Sequence, residues 1–128
     1  MNVRLNWWIR HLHLLLAVLI VGPTAIIYGN PSLLSSQLDI EIITIDQASQ
    51  WKATAVWYLG CSAVWVLGIV KAHYWRMATQ LTAFFMLTLA TGRLLSLTID
   101  GIPSGGYLFA IGAECLIGGY AVWQLRLS

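Results

Sequence analysis

Arg93 and Glu114 are the two side chains of this sequence whose type and place are best suited to chemistry, because each interrupts a long apolar run. A charge at mid-bilayer costs roughly 2.5–3.5 kcal/mol on insertion scales, so both are expected to turn from lipid toward a polar centre between helices. At 1.5 Å per residue, Arg93 should lie roughly 10 Å and Glu114 roughly 15 Å inside their segments. Only Gly101-Ile102-Pro103 separates the two segments. They are therefore expected to be antiparallel neighbours, and the long arginine side chain can close the offset. Such a pair can fix helix order and register. Alternatively it can bind a polar headgroup, an anion or a protonatable substrate, with Glu114 as the proton carrier.

Helical phase extends the set. In the third segment Thr82, Met86, Leu89, Arg93, Ser96 and Asp100 follow steps of three and four, which places them on one stripe. In the fourth, Tyr107, Ala110, Glu114, Gly118 and Ala121 form a matching face, with the Tyr107 hydroxyl expected near Asp100. Asp100 at a helix C-terminus opposes the macrodipole and calls for compensation from Lys52, Arg93 or the turn backbone. The candidate site is thus the polar cluster Lys52, Arg93, Ser96, Asp100, Tyr107 and Glu114.

Other reactive residue types are less promising. Cys61 and Cys115 lie in separate spans with no C-x-x-C spacing, which argues against dithiol chemistry. His11 and His13 sit at i and i+2 and point to different faces, and His73 lies in a connection, so the three are expected at the interface with no metal between them. No nucleophile set, metal set or nucleotide loop is present to support an enzyme, no cofactor is expected, and the scattered basic residues do not suit nucleic acid.

The elements that must position the cluster follow from composition. With 59% hydrophobic and 9% charged residues over 128 positions, the chain has too little polar surface for a soluble domain. It is expected to form one transmembrane domain over 1–128, an all-α, up-and-down four-helix bundle. The spans are predicted at about 7–28, 53–72, 77–99 and 104–125, each able to cross ~30 Å of hydrocarbon. The first resembles a signal sequence in its flanking Arg4 and Arg10, but its apolar run is too long and it is expected to be retained. Arg4, Arg10, Lys71, Arg76 and Arg126 all fall on one side, which predicts both termini in the cytoplasm. The tryptophans and tyrosines gather mostly near the span ends as interface belts, and Trp65 stands apart with an indole N–H that needs a partner.

Pro23 is expected to kink the first helix in its outer half, opening room near the polar residues. Tyr28-Gly29-Asn30-Pro31 stops that helix, and the connection over 29–50 contains Leu38-Asp39-Ile40-Glu41-Ile42, whose alternation suggests an extended, lid-like passage. Asp46 is the expected cap of the second helix. Gly60, Gly68, Gly112 and Gly118 are expected to face neighbouring or partner helices.

The run from Ala90 to Pro103, Ala-Thr-Gly-Arg-Leu-Leu-Ser-Leu-Thr-Ile-Asp-Gly-Ile-Pro, followed by Glu114, resembles the small bacterial membrane proteins catalogued as domain of unknown function 4345. Tyr28-Gly29-Asn30-Pro31, Trp51-Lys52-Ala53 and Tyr58-Leu59 are similar to further segments of that family, with Lys52 where its pattern usually carries arginine. The resemblance implies a four-helix inner-membrane protein and transfers no activity. Function is therefore expected to be that of a structural or accessory membrane component, lying in the lipid bilayer and engaging a membrane-protein partner. The alternative is a binder or carrier of a lipid-like ligand that uses the cluster.

Overall fold

The computed structural model describes residues 3–30, 41–42 and 44–128. Four long helices account for most of them: α1 Val3–Gly29, α2 Ile45–Val70, α3 Trp75–Ile99 and α4 Gly105–Leu127, with a short 3-10 turn at Ala72–Tyr74 between α2 and α3. All four are long and apolar enough to cross a membrane, and the chain is a multi-pass membrane protein. Alternate helices run in opposite directions. The two termini and the 71–74 connection thus share one end, called here the terminal end, and the turn at 100–104 lies at the distal end.

The fold is built from two helical hairpins. Helix α1 packs along α2, and α3 along α4; α2 against α3 joins the hairpins, while α1 meets α3 and α4 sparingly. Two glycines set the closest approaches. A Cβ on Gly68 would collide with that of Ala78, and one on Gly118 would lie 2.8 Å from Leu87 Cγ. Small residues therefore let α2 approach α3 and α4 approach α3, the usual route to close packing where lipid offers no hydrophobic drive. Gly60 and Gly112 face open space instead. The expectation that all four glycines sit at helix contacts thus holds, within this chain, for two.

Local chemistry explains the element ends. Helix α2 begins well before residue 53, because Thr44 and Gln47 form a capping box in which each side chain accepts from the other's backbone N–H at 3.1 Å. Thr44, not Asp46, is the cap. Asp46 lies in the first turn, where its charge complements the dipole. Between α3 and α4 the chain reverses at Gly101, whose φ of 107° is closed to most side chains. Helix α1 continues through Pro23, which leaves the Leu19 carbonyl without its intrahelical donor. In the adjacent turn the Thr24 hydroxyl donates to the Ile20 carbonyl at 2.6 Å. The same back-bonding satisfies Thr54, Ser62, Thr79, Thr82, Thr88 and Thr91, as a low-dielectric surrounding requires. Residues 31–40 lie outside the described part, and with them most of the proposed lid; Glu41 and Ile42 are exposed and outside any helix.

At the terminal end three side chains fasten α1 to the second hairpin. Trp75 Nε1 donates to the Arg10 carbonyl at 3.0 Å, the Tyr120 hydroxyl to the Ile9 carbonyl at 2.6 Å, and His13 Nε2 meets Thr79 Oγ1 at 2.8 Å. The Arg10 guanidinium also covers the Trp75 ring at 4.2 Å. His13 is fully buried and His11 nearly so, stacked on Trp7, which corrects the expectation of interfacial histidines; His73 is exposed. The reason is the latch itself. Thr79 spends its proton on the Trp75 carbonyl at 2.8 Å, so His13 Nε2 must be the donor, and its Nδ1 is left as a buried acceptor without a partner among the described residues. Trp65 is equally buried. Its indole N–H has no partner among the described residues, and its ring meets Phe85 edge-on at 5.1 Å.

Candidate functional site

The two stripes read from helical phase face each other. Thr82 and Met86 of α3 and Glu114, Gly118 and Ala121 of α4 are buried, while Leu89, Arg93, Tyr107 and Ala110 border the interior. At the distal half of this seam Arg93 Nε lies 2.9 Å from Glu114 Oε1 and 3.1 Å from Oε2. It is the one ion pair among the described residues. Sharing a single N–H between both carboxylate oxygens leaves the two Nη groups for other partners. Tyr28 of α1 borders the same two cavities as Arg93, and the Tyr107 ring lies 5.4 Å from the guanidinium carbon.

Of the rest of the expected cluster, Ser96 and Tyr107 border the same spaces as Arg93, whereas Asp100 and Lys52 do not. Asp100 is compensated locally, its carboxylate accepting from the Ser96 hydroxyl at 2.7 Å. Asp100 and Lys52 are exposed and neither lines the cavities that meet at Arg93. Lys52 stands on the first hairpin. Tyr107 presents its ring to Arg93.

Sequence reading missed the aromatic wall opposite. Tyr28 stacks obliquely on Tyr58 at 5.4 Å and meets Trp51 edge-on at 4.7 Å, and Tyr58 meets Phe85 at 5.1 Å. Both tyrosines are buried. Their signal was present in the helical phase of Trp51, Tyr58 and Trp65, seven residues apart on α2, but the span ends drew Trp51 and Tyr58 into the interface belts.

Because α1 is fastened at the terminal end and touches α4 little elsewhere, a cavity of about 190 Å³ opens between them. Ile20, Val21 and Ile27 of α1, Met86 and Leu89 of α3, and Ala113 and Ile117 of α4 make its apolar walls, and Arg93 and Glu114 its polar end. It shares Ile20, Ala113 and Ile117 with an apolar groove of about 440 Å³ on the outside of the bundle, bordered by Leu16, Phe109, Gly112 and Leu116. On the other side of Arg93, a chamber of about 430 Å³ is bordered by Gln50, Trp51, Thr54, Thr88, Gly92 and Ser96. Tyr28, Tyr58, Leu89, Arg93 and Tyr107 border both spaces, which adjoin there.

A family model described as a domain of unknown function, DUF4345, matches residues 9–125. The chain belongs to the DUF4345 family. The match takes in all four helices, the Arg93–Glu114 pair and the aromatic wall of this DUF4345 protein. No curated protein and no solved structure matches it. Among the described residues no group of three or more histidines, cysteines or carboxylates stands close enough to hold a metal ion. The free thiols stay apart, with Cys61 buried and Cys115 exposed.

Proposed function

We propose that this DUF4345 protein binds a lipid-like amphiphile within the bacterial cytoplasmic membrane, both termini facing the cytoplasm. The ligand enters from the bilayer between α1 and α4, and its polar end rests at the Arg93–Glu114 pair, with Glu114 as the proton carrier. One observation supports this reading above others: a cavity with apolar walls, adjoining an apolar groove on the outside of the bundle at Ile20, Ala113 and Ile117, ends on a largely buried ion pair. Helix interiors are normally packed to crystal-like density, so an ion pair serving only to join α3 to α4 has no use for a cavity at its side. The orientation rests on Arg4, Arg10, Lys71, Arg76 and Arg126, which gather at the terminal end.

Native mass spectrometry on protein released gently from its own membrane tests the reading, comparing the unmodified chain with Glu114→Gln. A discrete small-molecule adduct that is reduced or lost in the folded variant is the expected result. A stoichiometric protein partner with no adduct on either chain supports the second reading, that of an accessory subunit. That alternative draws support from Gly60, which offers a close approach on α2, with none of the described residues within 4 Å of a Cβ placed there.

A further inference from the structure

We infer that the amphiphile carries an anionic head, a carboxylate or a phosphomonoester, which docks on the Arg93 guanidinium from the distal chamber while one alkyl chain occupies the cavity between α1 and α4. This inference rests on the lipid-like reading above and adds to it the chemistry and the location of the head.

The two spaces differ in what they offer. Glu114 borders the inner cavity and is absent from the chamber, whereas Arg93 borders both. Arg93 is consequently the one charged residue among the described residues around the chamber. Glu114 is 6% exposed and already paired with Arg93 Nε, so a cationic head would meet a carboxylate that is buried and charge-compensated. The guanidinium is spent differently. Its Nε serves Glu114, and the remaining edge carries the paired N–H groups that match a carboxylate or phosphate. Tyr58 borders the same two spaces, and Gln50 adds an amide at the chamber rim. Thr54 and Thr88 donate to backbone carbonyls and so present lone pairs, suited to water or hydroxyl groups that accompany an anion.

The inner cavity fixes the other end. At about 190 Å³ it has room for roughly six groups the size of a water molecule, which is one alkyl segment and not two side by side. The groove that adjoins it at Ile20, Ala113 and Ile117 offers the rest of the chain an apolar surface toward lipid. An amphiphile placed this way has its head toward the distal interface and its tail toward the bilayer centre, the orientation lipids already hold.

The test uses the full chain in nanodiscs of zwitterionic lipid and equilibrium dialysis of radiolabelled dodecanoate, dodecyl phosphate and dodecanol, with empty nanodiscs subtracted. The anionic probes are expected to bind saturably and at least tenfold tighter than dodecanol, and the tighter of the two tells carboxylate from phosphomonoester. Gly92→Leu, which fills the chamber from a position where a Cβ meets nothing within 4 Å, is expected to weaken the anions about tenfold and spare dodecanol. The doubly neutral Arg93→Gln/Glu114→Gln chain should bind all three probes at the dodecanol level. Equal binding of anions and alcohol to the unmodified chain, or no effect of Gly92→Leu, overturns the anionic head in the chamber while leaving the amphiphile reading in place. Absence of saturable binding by any probe removes the amphiphile reading itself, and this inference with it.

Discussion

Arg93 and Glu114 stabilise one another only as a pair. Removing one partner leaves a charge in a site with little water, and breaking buried pairs in this way costs about 3–5 kcal/mol. Arg93→Gln or Glu114→Leu alone should therefore lower unfolding stability in detergent by about that amount, and Arg93→Gln/Glu114→Gln by distinctly less. A double-mutant cycle reads the coupling directly. The meeting of these two residues was legible from depth and helical phase, because helix periodicity is fixed and the connection between their spans is short. Lys52 was not placeable that way, since nothing in its own helix reports how one hairpin sits against the other. Tyr28 and Tyr58 escaped for a related reason. An aromatic residue near a span end can face lipid headgroups or the interior, and only the packing of α1 on α2 turns these two inward.

Helix contacts make sharper distinctions than composition does. At Gly68 an added methyl group meets the Ala78 Cβ, which is fixed to its backbone, so Gly68→Ala should destabilise by about 1–3 kcal/mol through forced separation of α2 and α3. Gly118→Ala meets Leu87 Cγ and Cδ2 at 2.8 Å and Met86 Cβ at 3.2 Å, a looser clash than that at Gly68, and should cost less while still pressing α4 away from α3. Gly60→Ala meets nothing and is expected to change stability by no more than ~0.5 kcal/mol, unless a partner helix covers that face in the native membrane. Comparing Gly60→Ala in detergent and in membranes thus also probes the accessory-subunit reading. At the start of α2, Thr44→Ala should cost about 0.5–2 kcal/mol and increase amide hydrogen exchange over the first turn, whereas Asp46→Ala should leave that turn nearly intact. The sequence contained Thr44-x-x-Gln47, but the apolar run that defined the span begins later, and a capped extension beyond it has no hydropathy signature.

For the whole molecule, four spans, their order and their alternation were readable because hydrocarbon thickness sets a minimum length that the composition meets four times. The division into two hairpins was not. It depends on the latch formed by Trp75, Tyr120 and His13 at one end, and on what α1 and α4 leave between them at the other. If the gap is a ligand entrance, Gly112→Phe should close the groove from a position with free space, reducing lipid adducts in native mass spectrometry with little change in folding. Reporter fusions at both termini are expected to read as cytoplasmic, and a reporter in the connection following Gly29 as external.

The placement of Arg93 and Glu114 on one hairpin also bears on how the chain reaches its membrane. Two charges entering lipid on separate helices would each meet the full penalty of roughly 2.5–3.5 kcal/mol and depend on later assembly to relieve it. Here the turn at Gly101 brings them together as soon as α3 and α4 leave the translocation machinery, so the hairpin can partition laterally as a neutral unit before it finds α1 and α2. On this ground biogenesis is expected to proceed in halves, the first hairpin inserting on hydrophobicity and the second carrying its own counter-ion.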